Sequence, residues 1–205
     1  MYFYPAHRNY LQLLDFKLGV APNPSGLAFR VDAENNAFHQ CWFHGEHSLL
    51  KIQTEIVVET HEINPFDFIV TPLPSLWPSI MQPYLELEPM DVEINKWVKE
   101  VTDPAGSNLV TLLTFLNREL YADWNHTVRY EPTLLAISDC FNTKTGSCRD
   151  LSWLMIQMIR SLNIPARFVS GYSFNPELGE GHELHAWVEA FLPGAGWIGL
   201  DPNSG

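Results

Sequence analysis

Alternation of apolar and polar residues dominates the first third of the chain. From Leu50 to Val58, every second position carries Leu, Ile, Thr, Ile and Val in turn, while most of the residues between them are polar. This period of two is typical of half-buried antiparallel strands. Turn-forming residues such as Glu34-Asn35-Asn36 separate the strands. The pattern predicts a β-rich N-terminal domain over residues 1–72, arranged as a small β-sandwich.

A proline-rich stretch follows this domain. Five prolines fall between residues 71 and 90, at Pro72, Pro74, Pro78, Pro83 and Pro89. Proline has no backbone N–H and interrupts both a continuous helix and a central strand. We therefore expect an extended connector over residues 73–90.

Beyond residue 90 the apolar residues follow a helical period. Helices are predicted near residues 91–101 and 107–121, with one more helical turn near Leu134. A longer buried helix is predicted after Cys148, because apolar residues recur at offsets of three, four, seven, eight and eleven from Leu151, namely Leu154, Met155, Met158, Ile159 and Leu162. Pro165 ends this helix. Three strands complete an α+β domain over residues 91–205: Ala166 to Tyr172, His185 to Leu192 and Gly196 to Leu200.

The charge balance narrows the classes of partner. The chain has 12 Lys and Arg against 24 Asp and Glu, a net charge of −12, which argues against nucleic acid or an anionic membrane surface. No run reaches the roughly 18 apolar residues that a membrane span requires, and the first residues lack a secretory-signal pattern. The three cysteines show no CxxC spacing and suggest no disulfide framework. We expect a cytoplasmic protein; the sequence indicates no oligomeric state.

A cluster of His39, Cys41, His44 and His47 has the residue types of a metal site. On a strand, His39 and Cys41 share a face, whereas His44 lies on the opposite face and His47 follows a turn. Such side chains do not converge on a tetrahedral ion. We interpret them as strand and turn residues, and we expect neither a metal nor a cofactor.

Cys148 is a candidate for chemistry because it lies at the predicted start of a buried helix. The free N–H groups and the positive dipole end at such a position favour a nucleophilic thiolate. A cysteine there is more often a small buried residue, so Cys148 alone leaves both interpretations open. His185 and Asp201 lie at the ends of two predicted strands. They are candidates for a base and for the residue that orients it.

Three neighbouring residues are alternatives that we weigh against this set. His182 competes as a base, but the glycines around it place it in an exposed loop. Cys140 has no helix start of its own and is interpreted as structural. Asp150 suits the first turn of a helix but opposes a thiolate, which favours a structural role.

Four runs of sequence, taken in order, carry a specific resemblance. They are Gly146–Asp150 (GSCRD), Ile164–Tyr172 (IPARFVSGY), His185–Glu189 (HAWVE) and Pro193–Pro202 (PGAGWIGLDP). Together they resemble the core of bacterial transglutaminase-like proteins, and residues 11–69 resemble the β-rich region that precedes this core in the same family. The resemblance implies a papain-like α+β arrangement in which Cys148, His185 and Asp201 form a catalytic triad.

The chemistry that this resemblance implies is attack of a thiolate on an amide. Cys148 would form a thioester from a peptide or glutamine-type amide while His185 moves the protons. The partner would be a protein or peptide that carries the amide. Transfer to an amine and hydrolysis share this thioester, and we favour hydrolysis because water at ~55 M needs no acceptor site. A non-catalytic binding scaffold is the alternative.

The resemblance also bears on the oxyanion site and on the extent of the chain. The backbone N–H of Cys148 is the natural first oxyanion donor. Eukaryotic transglutaminases add an upstream tryptophan indole, which here points to Trp124. The sequence ends four residues after Asp201, where relatives usually continue, and few residues precede Leu11. This is compatible with a piece of a longer protein.

Overall fold

The computed structural model describes residues 1–173 and 184–204. It divides the chain into two compact units, Met1–Asn64 and Pro65–Gly205. The division lies before the proline-rich stretch, so this stretch belongs to the second unit. Among the described helices, none is both long and apolar enough to cross a membrane.

The first unit, all of which is described, contains four strands that pair as two antiparallel sheets. β1 (Leu11–Ala21) pairs with β4 (Lys51–Thr60), and β2 (Gly26–Val31) pairs with β3 (Ala37–Trp42). Half-buried and exposed residues alternate along much of β1, as the sequence pattern predicts. The strands are present; the full β-sandwich stays a prediction.

An aromatic cluster joins the two sheets of the first unit. The imidazole of His39 on β3 stacks on the ring of Phe16 on β1, with 5.4 Å between centroids, and meets Phe29 on β2 edge-on at 5.2 Å. Tyr4 contacts both phenylalanines. His39 therefore packs as a partly buried aromatic residue, which agrees with its interpretation as a strand residue.

The second unit contains the helices of the structure. Among the described residues, its α-helices are α1 (Val92–Thr102), α2 (Leu109–Asp123), α3 (Ile137–Thr143) and α4 (Cys148–Ser161). Short 3-10 helices occur at Ser79–Leu85 and Asp103–Ala105. The helices predicted near 91–101 and 107–121 are present to within two residues, and α4 begins at Cys148 as predicted.

A sheet of three antiparallel strands completes the second unit. β8 (Leu184–Leu192) lies between β7 (Ala166–Tyr172) and β9 (Gly196–Leu200). Two short strands, β5 (Asn125–His126) and β6 (Thr145–Gly146), pair in parallel just ahead of α4. The structure is therefore mixed α and β, and the three strands predicted after α4 are present.

Helix α4 is the buried centre of the second unit. Within the helix, the residues of the predicted apolar stripe are at most 1% exposed: Leu151, Leu154, Met155, Met158 and Ile159. Leu162, the last residue of the predicted stripe, is the C-cap of the helix and is partly buried. The helix packs against β7, β8 and α2. Burial of each such side chain contributes about 1.5–3 kcal/mol. The first turn of α4 is thus attached to the best-packed part of the unit.

The proline-rich stretch is not the bare connector that we expected. Trp77 is buried, and its indole N–H donates to the carbonyl of Asn163 at 2.9 Å. Tyr84 meets the ring of Trp197 on β9 edge-on at 5.0 Å. Proline prevents a long helix here but does not prevent packing, and the aromatic residues between the prolines supply the buried surface.

Asp150 in the first turn of α4 is a buried carboxylate that binds three separate parts of the chain. It is 1% exposed, and both of its oxygens lie 2.7 Å from Nη1 of Arg129. The backbone N–H of Leu135 donates to Oδ1 at 2.8 Å, and the backbone N–H and hydroxyl of Ser147 donate to Oδ2 at 2.9 and 2.5 Å. The carboxylate thereby ties residues 129–135 to the turn that precedes Cys148.

The charge state of Asp150 follows from these partners. Burial acts to raise the pKa of Asp150, but the Arg129 guanidinium and the hydrogen bonds from Ser147 and Leu135 outweigh it and hold this pKa below its ordinary value. Asp150 is therefore ionised at neutral pH. Its charge is neutralised by Arg129, which supports the structural role expected for it.

Replacing Asp150 tests this role. We expect Asp150→Asn to lower the free energy of unfolding at pH 7 by about 3 kcal/mol, because Arg129 loses its buried partner. The stabilising effect of an ionised Asp150 is complete above its unfolded-state pKa, near pH 4, and is lost as the pH falls through its lower folded-state pKa. On acidification below about pH 4, the free energy of unfolding should therefore fall less in the variant than in the wild type. Urea denaturation followed by tryptophan fluorescence measures both effects.

Asp123→Asn is the matched control for that experiment. Asp123 pairs with Lys144 at 3.0 Å, but its side chain is 48% exposed. An exposed pair of this kind contributes less than about 1 kcal/mol. Equal losses of stability in the two variants would contradict the structural role of Asp150.

Candidate active site

Cys148 is the first residue of α4, and the turn before it is built for close packing. Ser147 is the N-cap and forms a capping box with Asp150, in which each side chain accepts from the backbone N–H of the other. A Cβ atom at Gly146 would lie 2.9 Å from Cβ of Asp150 and 3.2 Å from Sγ of Cys140. A glycine is therefore required at position 146 for the chain to enter the helix here.

The position of Cys148 at the start of α4 gives its thiol the surroundings expected of a nucleophile. The first N–H groups of a helix have no partner within the helix and carry its positive dipole end. Cys148 is a free cysteine and is only partly buried. Its thiol thus combines solvent access with the end of the helix that stabilises an anion.

His185 and Asp201 form a direct hydrogen bond. Nε2 of His185 lies 2.7 Å from Oδ2 of Asp201. The sheet register explains the contact, because Val188 on β8 pairs with Leu200, the last residue of β9. Asp201 follows β9 directly, and His185 lies near the start of β8, so the two side chains meet at one end of the sheet.

The carboxylate of Asp201 is held by two further residues. The backbone N–H and the side-chain amide of Asn203 donate to Oδ1 at 2.9 and 3.0 Å, and the hydroxyl of Ser204 donates to Oδ2 at 2.9 Å. Burial acts to raise the pKa of Asp201, but the hydrogen bonds from His185 and Asn203 outweigh it and keep this pKa below its ordinary value. Asp201 is ionised and can orient and stabilise an imidazolium.

Ser152 connects the helix of Cys148 to the strand of His185. The hydroxyl of Ser152, which is fully buried, donates to the carbonyl of Ala186 at 3.1 Å. Ser152 lies one helical turn after Cys148, about 6 Å along the axis, and Ala186 is the residue after His185. This bond fixes the start of α4 beside the start of β8. The sequence signal for Ser152 is weak: it is a small polar residue four positions after the cysteine, on a helix whose other residues there are mostly apolar.

Trp187 and Gly171 form one wall beside His185. The indole of Trp187 lies 6.2 Å from the imidazole of His185 between centroids, with the planes inclined by 26°. A Cβ atom at Gly171 on β7 would lie 2.6 and 2.8 Å from two atoms of this indole. Gly171 therefore lets the ring lie flat on the sheet next to the imidazole. We therefore interpret Trp187 as a packing residue beside the base.

Trp124 is not brought to this site as an oxyanion donor. It is 5% exposed, and its indole N–H donates to the carbonyl of Cys140 at 3.1 Å. An indole has a single donor, and this one is used inside the core. The geometry does not fit the oxyanion role that we expected for Trp124, because sequence position alone does not reveal where an N–H points.

Two residues, Cys140 and His182, are alternatives to the proposed nucleophile and base. Burial raises the pKa of the Cys140 thiol to about 12, which makes this cysteine inert and structural, as expected. His182, the competing base, lies outside the described residues. His185 and Asp201 are thus in direct contact, and Cys148 begins the helix that Ser152 bonds to the strand of His185.

Comparison with protein families gives two matches that together cover most of the chain. Residues 95–202 match the transglutaminase-like superfamily, in its core region. Residues 1–59 match the bacterial transglutaminase-like N-terminal region. The first match spans α1 to the residue after Asp201 and therefore contains the whole candidate site.

Curated relatives share parts of their sequence with this chain. The chain is 31% identical over 119 residues to the uncharacterised protein YebA of Bacillus subtilis, which covers 53% of this chain and 15% of that protein. It is 38% identical over 70 residues to a protein-glutamine gamma-glutamyltransferase of Pseudomonas aeruginosa, which covers 31% of this chain and 10% of that protein. The chain thus matches only a small part of the length of these relatives.

Solved structures share the fold. A proposed cysteine protease from Cytophaga hutchinsonii aligns with a TM-score of 0.70 and 17% identity, over 99% of this chain and 70% of that one. The periplasmic domain of TgpA from Pseudomonas aeruginosa aligns with a TM-score of 0.53 and 20% identity, over 90% of this chain and 62% of that one. Together with the family match over the core, these comparisons show that the chain belongs to the transglutaminase-like superfamily.

Proposed function

We propose that this protein is an enzyme that forms a thioester on Cys148 from a peptide or glutamine-type amide. The observation that carries the proposal is the 2.7 Å bond between His185 and Asp201 on strands that Ser152 ties to the helix of Cys148. A base, its orienting carboxylate and a thiol at a helix start are the parts that nucleophilic catalysis requires.

The proposed mechanism gives each nitrogen of the imidazole a role. Nε2 lies 2.7 Å from the ionised carboxylate of Asp201, so Nε2 carries a proton and donates a hydrogen bond to it. Nδ1 is then the nitrogen that accepts the thiol proton of Cys148 and later delivers it to the departing amine. Asp201, being ionised, stabilises the imidazolium that exists between these two transfers.

The acylation step balances without any further reactant. The sulfur of Cys148 bonds to the amide carbon, the C–N bond breaks, and the amine or ammonia leaves with the proton that His185 delivers. The backbone N–H of Cys148 is the oxyanion donor that the helix start supplies. The product is an acyl-enzyme thioester.

We propose hydrolysis as the principal fate of this thioester, for a protein or peptide substrate. Water needs no binding site, since its concentration is ~55 M. Transfer to a primary amine is the second candidate. It is favoured by the 38% identity to a protein-glutamine gamma-glutamyltransferase over 70 residues. A non-catalytic scaffold has no requirement for the bond between His185 and Asp201.

Alkylation by iodoacetamide tests whether Cys148 is a nucleophile. We expect Cys148 to react at pH 6 about 10-fold or more faster than Cys41, because the helix start and His185 favour its thiolate. Cys41 is also partly buried and free, so it is an internal reference that peptide mass spectrometry resolves. His185→Ala should remove the difference. Equal rates for the two cysteines in the wild type would contradict the proposed nucleophile.

The fate of the acyl group can be measured directly. With a glutamine-containing protein and a labelled primary amine, we expect peptide cleavage or ammonia release to exceed amine incorporation. Cys148→Ala should abolish both, with a loss of about 1,000-fold or more, because no thioester can form. Incorporation in excess of hydrolysis would replace the hydrolytic proposal with transfer. Turnover that survives Cys148→Ala would contradict the mechanism itself.

Gly171→Ala tests the wall beside the base. The new Cβ would displace the indole of Trp187, and we expect kcat to fall by about 10-fold or more, because catalysis is sensitive to displacements near 1 Å. Ser170→Ala is the matched control, since Ser170 is the exposed neighbour on the same strand. Unfolding temperatures of both variants separate a local shift from a loss of fold. An unchanged kcat in Gly171→Ala would show that the wall does not position His185.

A further inference from the structure

We propose that Asn203 is a positioning residue of this site, because its two hydrogen bonds to Oδ1 of Asp201 turn Oδ2 towards His185. The inference rests on the proposed function and adds to it a residue that the triad does not include. Asn203 does not touch the reacting atoms; it acts through Asp201.

The hydrogen bonds around Asp201 fill the capacity of its carboxylate. Oδ1 accepts from the backbone N–H and from Nδ2 of Asn203, and Oδ2 accepts from His185 and from the hydroxyl of Ser204. An ionised carboxylate offers about four acceptor positions. Rotation of the Asp201 side chain would break bonds at both oxygens, so the direction of Oδ2 is fixed.

Of the two hydrogen bonds from Asn203 to Asp201, only the one from the side chain requires an asparagine. The bond from the N–H of residue 203 to Oδ1 of Asp201 closes a short Asx-type turn, and any residue other than proline makes it. Only the Nδ2 bond, at 3.0 Å, depends on asparagine. The carboxamide of Asn203 therefore adds a second hydrogen bond to Oδ1 of Asp201 that the turn itself does not require.

The other end of this carboxamide supports the assignment. Oδ1 of Asn203 is buried and has no hydrogen-bond partner among the described residues. An acceptor left in this state is costly. The opposite orientation of the amide would place its oxygen against the ionised Asp201. The orientation of Asn203 is thus determined by its bond to the carboxylate.

The hydrogen bond from Nδ2 of Asn203 affects the ionisation of Asp201. Among the described residues, His185 on β8 is the titratable group that hydrogen-bonds to Asp201, and its bond and its charge both favour the ionised carboxylate. Burial opposes ionisation of the carboxylate, whereas donors to its charged form favour it. Without Nδ2 of Asn203, Asp201 should accept a proton at a higher pH and lose its fixed direction.

Titration of Asp201 and of turnover tests the proposal. The first measurement follows the ¹³C-labelled carboxyl of Asp201 by NMR in protein that also carries Cys148→Ala, so that no turnover is needed. We expect Asn203→Ala to move its titration to higher pH by about one unit. The second measurement is the pH profile of kcat/KM with Cys148 intact, where the acid limb should move in the same direction.

Two further variants sharpen the comparison. Asn203→Asp keeps the shape of the side chain but places a second carboxylate beside Asp201, and it should move the titration further upward because like charges cannot both ionise easily. Ser204→Ala removes the donor to Oδ2, but Ser204 is exposed, so water can replace its hydroxyl and the shift should be smaller. Amide spectra of each variant report whether the fold is intact.

The outcomes for Asn203 and for the enzyme can be told apart. An upward shift of Asp201 in Asn203→Ala supports the positioning role even if the wild type shows no turnover, a result that would count against the proposed function alone. Turnover in the wild type with an unmoved Asp201 titration and an unmoved acid limb would overturn the role of Asn203 and leave the function standing.

Discussion

The buried carboxylate of Asp150 is the interaction on which the geometry of this site depends. Its two oxygens bind Arg129, Leu135 and Ser147, so one side chain joins the loop before α3 to the turn that starts α4. A negative charge in the first turn of a helix would oppose a thiolate at Cys148 if it were unpaired. The guanidinium of Arg129 neutralises it, and the carboxylate can hold the turn without opposing the proposed chemistry.

From that turn, a short series of contacts extends to the base. Helix α4 is fixed by its apolar stripe, Ser152 bonds it to β8 beside His185, and the register of β8 with β9 brings Asp201 to the imidazole. Each contact joins an element that holds a proposed catalytic residue to a well-packed element. Preorganisation of this kind lets a weak nucleophile react without a large rearrangement of its surroundings.

The sequence predicts α1, α2, α4 and the three strands after α4 well, because their apolar periods are regular. It does not predict the packing of the proline-rich stretch, where Trp77 is buried. It predicts Cys148, His185 and Asp201 through the family pattern, and the structure places His185 and Asp201 in contact. It does not predict the side-chain partners. Arg129 lies in a loop without periodicity, 21 residues before Asp150, and the donor of Trp124 points to Cys140 for reasons that only packing decides.

Mass spectrometry of the trapped enzyme shows directly whether Cys148 carries the acyl group. The protein is incubated with a glutamine-containing peptide, quenched in acid and digested. We expect the fragment with Cys148 to gain the mass of the peptide less ammonia, hydroxylamine to remove this adduct, and Cys148→Ala to abolish it. Peptide turnover by the wild type with no adduct on Cys148, or with an adduct on another residue, would rule out Cys148 as the acyl carrier.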